Sequence, residues 1–520
     1  MKKRILCLVL TLMLALSLAA VPAAAAPLDA YTDAVKAAIA ENGTAYPGYG
    51  MLYDLDANGT DELLMLYRSE QSGAPNVVLS VYTLANGVCT PLLDHAVMYQ
   101  EVGSTTGAVS VVKKNNEILL LAERESSESD AVLHRYTGSA ALYTLASGAL
   151  KEVSRLDYKY DETLSGDGEW TVPEEKFTGS ERTGSGTAEI SYGQFQAWFN
   201  ALDRLTLLVA RDVNDRGDGL PLELLLGRLE GHIGPFTDVA ASEWYADSVE
   251  WALLHKITDG MTDTTFGTGS TCTRAQMVTF LWRAHGSPMI KTDGEIQFTD
   301  VPKSEYYYDA VRWAVTLGIT DGMTDTTFAP DGTVNRAQTV TFLWRDACHP
   351  SAAIPNFADV PLTEYYASAV GWAQEVEVTD GVTETTFAPN DPCTRAQIVT
   401  FLSRAMCAPG LHASDVTGLD HGKEISFATD SYGKQILFTA VGDVDDFSVV
   451  SLMLTATEGL KPDMAVKEVG ALHDGDTFLL QTGIPDVAAR YGVTYTIGDR
   501  TVTLAITDSG RDGSVYLTEL

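Results

Sequence analysis

Apolar and polar residues alternate through much of the first part of the chain. The alternating stretches are YGMLYDLDANGTDELLMLYR, NVVLSVYTLANGVCTPLL, AVSVVKKNNEILLLAERES and AALYTLASGALKEVSRLDY. A period of two predicts half-buried β-strands separated by turns. The stretch before them, PLDAYTDAVKAAIAENG, has the spacing of one amphipathic helix. We therefore expect an N-terminal α+β domain, rich in β-strand, over residues 27–232.

The end of the chain alternates in the same way. Its apolar stretches are EISFATD, KQILFTAVG, SVVSLMLTAT, DTFLLQTG, VTYTIG and RTVTLAIT, and Gly and Asp residues separate them. Short strands with frequent turn residues are typical of two packed antiparallel sheets. The pattern predicts an all-β, sandwich-like domain over residues 411–520.

Between these regions the apolar period changes to that of a helix, and the whole pattern occurs three times. The copies begin FTDVAASEWYADSVEWALLHKITDGMTDTTF, FTDVPKSEYYYDAVRWAVTLGITDGMTDTTF and FADVPLTEYYASAVGWAQEVEVTDGVTETTF. They continue as CTRAQMVTFLWRA, VNRAQTVTFLWRD and CTRAQIVTFLSRA. A fixed internal repeat indicates one structural unit used several times. We predict helix–loop–helix repeats over 236–288, 298–350 and 357–409, and hence an all-α central region.

The second helix of each repeat starts with the same two signals. A capping residue is followed three positions later by glutamine, which predicts a capping box, in the pairs Thr273 with Gln276, Asn335 with Gln338, and Thr394 with Gln397. An arginine then occupies the first helical position: Arg274, Arg336 and Arg395. A cation there is mildly unfavourable against the helix dipole, so its recurrence suggests an anionic partner. That anion is either internal, at Asp238 or Asp259 and their equivalents, or part of a ligand.

A tryptophan recurs in the first helix of each repeat: Trp251, Trp313 and Trp372. Two interpretations are open for these residues. The rings either pack in the core of the repeat or present an aromatic face to a sugar ring.

The layout FTDV…W…ITDG…TTF…TRAQ…FLWR resembles the surface-layer homology repeat of bacterial envelope proteins. The resemblance implies a pseudo-threefold, three-pronged pseudo-trimer. It also implies non-covalent binding of secondary cell-wall polysaccharide, often pyruvylated, in grooves between repeats. The resemblance also implies that the matching arginines contact the ligand, since the arginine of the T-R-A-E motif does so in that family. The chemistry agrees, because a guanidinium can bind a pyruvyl carboxylate with two hydrogen bonds. The predicted glycan-binding residues are Arg274, Arg336, Arg395, Trp251, Trp313, Trp372, Asp259, Asp321 and Asp380.

The repeats depart from the family pattern at three places. The glutamate of the family's T-R-A-E motif is glutamine in every copy, which keeps the cap and removes a charge. Asn335 replaces the capping threonine in the second copy. The D-G pair of the preceding loop is replaced by Asp263-Thr264, Asp325-Thr326 and Glu384-Thr385.

The first residues determine the predicted compartment. MKKRILCLVLTLMLALSLAAVPAAAAP has a basic start, an apolar run and small residues at its end. These are the parts of a secretory signal peptide, which we place at 1–26, with an uncleaved membrane anchor as the alternative. We expect a secreted protein at the cell wall or cell surface, in the S-layer, with no membrane association after cleavage.

Charge and cysteine content exclude several classes of protein. The formal net charge of −35 argues against nucleic acid and against anionic lipid as partners, because both require clustered cations. Five cysteines follow the signal peptide, an odd number that does not suit a disulfide framework. Cys272, Val334 and Cys393 share one repeat position, where we predict a small apolar plug rather than a metal ligand.

One acidic loop, DLDANGTDE, has the spacing of a cation site. Asp54, Asp56, Asn58 and Glu62 offer hard oxygen ligands around Gly59, a set that suits Ca²⁺. Met65 stands where an EF-hand has its last carboxylate, and the loop resembles instead those of FG-GAP-type β-propeller blades. The alternatives are a calcium site and a plain acidic hairpin turn, and we expect no other cofactor.

No catalytic motif is evident. The sequence lacks HExxH, G-x-S-x-G and a phosphate loop. We predict a non-enzymatic surface protein whose repeats bind secondary cell-wall polysaccharide, a polymer linked to peptidoglycan. One alternative is a surface-tethered hydrolase acting on glycan or peptide, with the repeats only as anchor. Another is a scaffold whose repeats bind a protein.

Overall fold

The computed structural model describes residues 28–42, 48–69, 76–85, 87–100, 105–129, 133–146, 149–164, 170–209, 219–291, 296–429, 433–455, 459–483, 490–508 and 514–520. The predicted signal peptide, 1–26, lies outside these ranges. The chain forms two compact units, divided between Pro235 and Phe236. No helix within the described ranges is long and apolar enough to cross a membrane.

The first unit contains two antiparallel sheets. The five-stranded sheet has the order β13-β1-β2-β3-β4, with strands β1 (Tyr49–Tyr53), β2 (Glu62–Ser69), β3 (Asn76–Ala85), β4 (Val88–Gln100) and β13 (Leu220–Pro221). In the eight-stranded sheet the order is β11-β10-β8-β7-β6-β5-β12, and β9 pairs with β8. Its strands are β5 (Thr105–Lys114), β6 (Glu117–Ser129), β7 (Leu133–Ala146), β8 (Ala149–Leu164), β9 (Trp170–Thr171), β10 (Phe177–Thr183), β11 (Gly186–Ile190) and β12 (Asp203–Val209).

Helices cover these sheets with their apolar faces. They are α1 (Thr32–Asn42), α2 (Tyr192–Asn200) and α3 (Leu222–Glu230), with 3₁₀ turns at Leu28–Tyr31 and Glu174–Lys176 and a short strand β14 (His232–Ile233) at the end of the unit. Val35 of α1 and Leu225 of α3 are buried in one cluster with Met65 of β2. Trp198 of α2 is buried in the cluster over the eight-stranded sheet. Burial of apolar area is the main driving force that holds these layers together.

The second unit begins with the three repeats, each of which has two helices. The helix pairs are α4 (Ala246–Leu254) with α5 (Arg274–Ala284), α6 (Tyr308–Thr316) with α7 (Arg336–Asp346), and α8 (Ala367–Glu375) with α9 (Arg395–Cys407). A short strand β15 (Phe236–Ala240) precedes the first pair. Each second helix starts at the arginine, as the capping signals predict.

The prediction of an all-α central region is wrong, and the fold class with it. Most of each repeat outside its helices consists of turns and short β-bridges, such as Thr262 with Thr265 and Thr273 with Thr333. The chain as a whole is β-rich, with its helices scattered between many strands. The long loops are rich in Thr, Gly and Pro, which favour turns over helix, so the helical period holds only for two short segments of each repeat.

The three repeats close into a ring around one small apolar position. The amide of Cys272 donates to the carbonyl of Cys393, that of Val334 to Cys272, and that of Cys393 to Val334, at 3.2, 3.0 and 3.0 Å. All three side chains are fully buried, and both cysteines are free thiols. The apolar plug predicted at this position is confirmed.

The C-terminal strands form two sheets around one core. The sheets have the orders β17-β20-β23-β19 and β22-β21-β24-β25-β26. The strands are β17 (Gly410–Asp415), β18 (Leu419–Asp420), β19 (Phe427–Ala428), β20 (Lys434–Val441), β21 (Val444–Thr455), β22 (Gly459–Leu472), β23 (Thr477–Thr482), β24 (Tyr491–Ile497), β25 (Arg500–Asp508) and β26 (Val515–Glu519). Phe438 and Phe447 lie at the centre of the shared core, with ring centroids 5.9 Å apart.

This β domain packs directly on the repeats. The amide of Leu517 donates to the carbonyl of Cys348, and the amide of Ser351 donates to the carbonyl of Leu517, each at 3.0 Å. Cys348, which follows α7, is buried inside the core of the β domain. The segment after the first repeat contributes a short strand β16 (Met289–Ile290), which pairs with β18. The repeats and the β domain therefore form one compact unit.

Candidate functional site

The start of each second helix is held by the predicted capping box. Thr273 Oγ1 accepts from the amide of Gln276 at 3.2 Å, and Gln276 Oε1 accepts from the amide of Thr273 at 3.0 Å. The second and third repeats have the same reciprocal pairs. These bonds satisfy amide groups that the helix itself leaves without acceptors, so the position of the following arginine is well determined.

The three first-turn arginines are buried, and each reaches into the next repeat. Arg274, Arg336 and Arg395 are only 4, 3 and 4% exposed. Their Nε atoms donate to the carbonyls of Phe328, Phe387 and Phe266 at 2.9, 2.7 and 2.9 Å. Because repeat one reaches repeat two, two reaches three and three reaches one, the arginines interlock the ring.

Aromatic rings surround each guanidinium on the inner side. The guanidinium carbon of Arg274 lies 4.8 Å from the ring centroid of Phe328 and 5.3 Å from that of Phe342. Arg336 and Arg395 have equivalent pairs of rings, at 4.8 to 5.2 Å. Cation–π attraction offsets a part of the cost of burying the charge.

The loop that each arginine contacts is also bound by a carboxylate of its own repeat. Asp238 accepts from the amides of Phe266 and Gly267 at 2.7 and 2.8 Å. Asp300 and Asp359 bind the equivalent amides of the second and third repeats. The FTD aspartates therefore serve as acceptors for loop amides.

The alternative, an ion pair between a first-turn arginine and Asp238, Asp259 or their equivalents, does not form at ion-pair distance in the described part of the chain. Two of these aspartates pair with other arginines instead. Asp321 and Asp380 are exposed and pair with the last-turn arginines Arg345 and Arg404, at 2.9 and 3.2 Å. In the first repeat Arg283 donates instead to the carbonyl of Ile257 at 3.0 Å, and Asp259 is exposed. Among the described residues, no carboxylate lies within 4.0 Å of the guanidinium nitrogens of Arg274, Arg336 or Arg395.

The first-turn arginines have lowered pKa values, as expected for cations that are buried without an ion pair. Burial lowers the pKa of Arg274 to about 10 and also lowers the pKa values of Arg336 and Arg395. The three guanidiniums remain protonated at neutral pH, but their positive charge is poorly compensated. An anion that enters beside them meets a larger attraction than it would at an exposed arginine.

The recurring tryptophans are not exposed as a set. Trp313 and Trp372 are buried, at 1 and 7% exposed, so the prediction that their rings face a sugar is wrong. Trp251 is half-buried, with its ring centroid 4.9 Å from that of His255. Core packing places these rings inside because they lie on the apolar face of the first helix.

The exposed aromatic residues are others that the sequence analysis missed. Trp244, Tyr306 and Tyr365 occupy one repeat position, just before the first helix, and are 61, 60 and 60% exposed. Tyr365 of the third repeat lies close enough to Arg274 to affect the pKa of that arginine, and Tyr306 of the second repeat lies close enough to affect the pKa of Arg395. The sequence feature that could have identified them is the pair of consecutive aromatic residues in each copy. The first residue of the pair is exposed, and the second is buried in the second and third copies, at Tyr307 and Tyr366.

We call the region around each first-turn arginine a groove, and two of the three grooves draw on all three repeats. Tyr365 also lies close enough to Arg345 for that arginine to affect its pKa, so a first-turn arginine, a last-turn arginine and an exposed aromatic residue are near one another there. Tyr306 stands in the same relation to Arg395 and Arg283. Such a site offers hydrogen-bond donors with positive charge beside an aromatic face, which suits an acidic sugar.

The predicted calcium loop lies in the first unit. Asp54, Asp56 and Glu62 bring carboxylate oxygens within 4.8 Å of one another, and this donor set fits a hard cation in kind. Asp54 and Asp56 also accept hydrogen bonds from loop amides, as Asn58 does. Glu62 is fully buried and accepts from the amide of Leu55 at 2.9 Å. Because these bonds also suit a plain acidic turn, calcium stays a prediction, as does the hydrolase alternative for the whole protein.

Comparison with known proteins identifies the repeats. A sequence profile of the S-layer homology domain matches residues 235–278, 297–340 and 356–399. The chain is 34% identical over 115 residues to a "Cell surface protein" of Thermoanaerobacter kivui, a match covering 21% of this chain and 15% of that protein. It is 29% identical over 126 residues to a "Surface-layer 125 kDa protein" of Lysinibacillus sphaericus, covering 22% and 10%. The matched segments are thus a small part of each relative.

Proposed function

The chain carries three S-layer homology domains and is a cell-surface protein anchored at the cell wall through them, and from this premise we propose that the grooves bind an acidic secondary cell-wall polysaccharide. The ligand groups are carboxylates, as in pyruvylated sugars. The guanidiniums of Arg274, Arg336 and Arg395 bind the carboxylates, and the exposed aromatic residues contact the sugar rings.

One observation carries this proposal. Among the described residues, no carboxylate lies within 4.0 Å of the three buried guanidiniums, and acidic neighbours such as Asp300, Asp359 and Asp238 act only from a greater distance. This is so although the protein has twice as many acidic as basic residues, 70 against 35. An uncompensated buried charge is destabilising, and a ligand carboxylate relieves that cost when it binds. The proposal therefore explains why a charge that is unfavourable in the free protein recurs three times.

The arrangement also supports retention by several weak contacts. Three grooves on one unit can engage one polymer chain, and each engaged groove raises the effective concentration of ligand at the others. Carboxylate and sugar contacts that are weak one at a time would then hold the protein at the wall.

The test is co-sedimentation of the full chain after the signal peptide with native walls and with walls stripped of secondary polymer. The triple variant Trp244→Ala, Tyr306→Ala, Tyr365→Ala removes exposed rings only, so it keeps the fold. We expect at least about a tenfold loss of affinity for native walls. The triple variant Arg274→Gln, Arg336→Gln, Arg395→Gln should lose more, with its fold checked by circular dichroism.

A matched control removes three positive charges elsewhere. Exposed lysines outside the repeats, Lys159, Lys176 and Lys467, are changed to glutamine, and this variant should bind native walls as the unchanged protein does. Equal binding to native and stripped walls, or full binding by both groove variants, would contradict the proposal and favour a protein partner.

A further inference from the structure

The three grooves are not equivalent, and the difference lies in how each arginine is satisfied inside the protein. Nη2 of Arg395 donates to Thr258 Oγ1 at 2.9 Å, and Nη2 of Arg336 reaches Thr379 Oγ1 at 3.5 Å. Thr320 is the equivalent residue for Arg274. Nη2 of Arg274 is buried and has no hydrogen-bond partner among the described residues.

The repeat position of Cys272, Val334 and Cys393 also distinguishes Arg274 from the other two arginines. The Cys272 thiol lies close enough to Arg395, and the Cys393 thiol close enough to Arg336, to affect the pKa of each arginine. The equivalent neighbour of Arg274 is Val334, which has no polar atom in its side chain. A sulfur acceptor is weak, but its absence leaves Arg274 with one polar neighbour fewer.

Acidic groups near the grooves add a third difference. Asp391, in the loop that Arg336 contacts, interacts electrostatically with that guanidinium. Asp331 interacts with Tyr306, the exposed ring beside Arg395. Gly332 takes the position of Asp391 in the loop at Arg274, which leaves Arg274 with Asp300 as its acidic neighbour, the equivalent of Asp359 at Arg336. Beside Tyr365 the strongest charged neighbours are the two arginines, Arg274 and Arg345.

We infer that the groove formed by Arg274, Tyr365 and the loop at Phe328 is the principal binding site for the acidic polymer. The inference rests on the proposed function and deepens it. The guanidinium with the fewest internal acceptors keeps the most positive potential, so a carboxylate gains most there. Arg345 retains Asp321 as its own partner, which leaves Arg274 as the cation available to the ligand.

Single variants of the full chain test the inference. Arg274→Gln, Arg336→Gln and Arg395→Gln each keep a side-chain donor for the phenylalanine carbonyl. Affinity for native walls is measured from binding isotherms, and thermal unfolding checks the fold of each variant. We expect Arg274→Gln to lose about tenfold or more, and the other two several-fold less.

A second variant tests the groove without removing any arginine. Val334→Cys places beside Arg274 the thiol that the other two repeats already carry, so the ring should keep its packing. We expect several-fold weaker binding to native walls, whereas Cys393→Val should leave binding equal or slightly tighter.

The outcomes separate this inference from the proposed function. Equal losses in the three single variants, or a larger loss in Arg336→Gln or Arg395→Gln, would overturn the inference while the function survives. Loss of discrimination between native and stripped walls in the unchanged protein would defeat the function itself.

Discussion

The contacts between repeats recur three times, whereas the contacts between the repeats and the β domain do not recur. Between repeats, one set of contacts occurs three times, from capping box to arginine to phenylalanine carbonyl. At the β domain, each contact occurs once, even where two repeats carry the same residue: Cys348 of the second repeat is buried in the β-domain core, whereas Cys407 at the same position of the third repeat is exposed. Residues shared by the three copies therefore identify the ring, whereas comparison of the copies does not identify the docking surface.

Substitution of two cysteines at one repeat position should give the largest difference in the free energy of unfolding. Cys348 is buried in the core of the β domain, while Cys407, its equivalent in the third repeat, is exposed. Cys348→Asp places a charge in that core and should lower the free energy of unfolding by about 3 kcal/mol or more. Chemical denaturation followed by circular dichroism measures the change.

Cys407→Asp is the control and should change stability by less than about 0.5 kcal/mol. We also expect Cys348→Asp to unfold the β domain and the repeats together, because they share one core and backbone hydrogen bonds. Two separate transitions, with the repeats unaffected, would show that the docking surface is not cooperative with the ring.

The threonine hydroxyl groups beside the first-turn arginines should give the next largest difference in stability. Thr258→Val removes the acceptor of Arg395 Nη2 and leaves a buried charged donor without a partner. We expect it to destabilise the protein by about 1.5–3 kcal/mol more than Thr320→Val does, because Arg274 has no such bond to lose. Both threonines also accept from a glycine amide two residues on, so that contribution cancels between the variants. Similar losses in the two variants would mean that the grooves are equivalent.

The sequence predicted the threefold part of the site well. The capping boxes, the helix start at the arginine and the apolar plug each follow from local rules that act within a few residues. Tyr306 was not predicted as the exposed ring, because it lies with Trp313 in one short aromatic segment and no local rule tells which of the two is buried.

The rest of the fold was hidden for a related reason. Contacts such as Leu517 with Cys348 join residues far apart in the chain, and no local pattern indicates them. The all-α prediction failed because the apolar period of two short helices was extended over loops whose Thr, Gly and Pro residues favour turns. A weak local sequence pattern can be recognised when it occurs three times, whereas a contact that occurs once leaves no repeated pattern to recognise.

A glycine in the second repeat gives a smaller contrast. Gly318 has a φ of +71°, and a Cβ added there would lie 2.6 Å from Ser514 Oγ of the β domain. The first repeat has Lys256 at this position with a φ of +55°. Gly318→Ala should therefore cost about 1–2 kcal/mol in unfolding free energy, from backbone strain and the shift of Ser514.

Lys256→Ala is the matched control, because it keeps a side chain in the same backbone conformation away from the β domain. We expect a change of no more than about 0.5 kcal/mol. If Ser514→Gly fails to recover a part of the loss in Gly318→Ala, the close approach contributes nothing, and backbone strain alone explains the effect.

The smallest contrast concerns a contact between repeats that is made only once. His285, after α5, lies 3.0 Å from Asp346 of α7, and its ring centroid is 5.5 Å from that of Trp313. Burial lowers the pKa of His285, but the charge of Asp346 outweighs it, so the pKa is raised. His412 also lies nearby, and burial, together with the charge of His285, lowers the pKa of His412, which reduces the positive charge that would oppose the pair.

A raised pKa in the folded state means that the pair stabilises the protein when His285 is charged. That contribution is fully present below the ordinary histidine pKa of the unfolded chain and disappears as the pH rises through the raised value. The difference in melting temperature between the unchanged protein and His285→Gln should thus be largest near pH 6 and shrink toward pH 9. A difference that stays constant with pH would mean that His285 acts through packing on Trp313, and that the two repeats are joined here by shape rather than by charge.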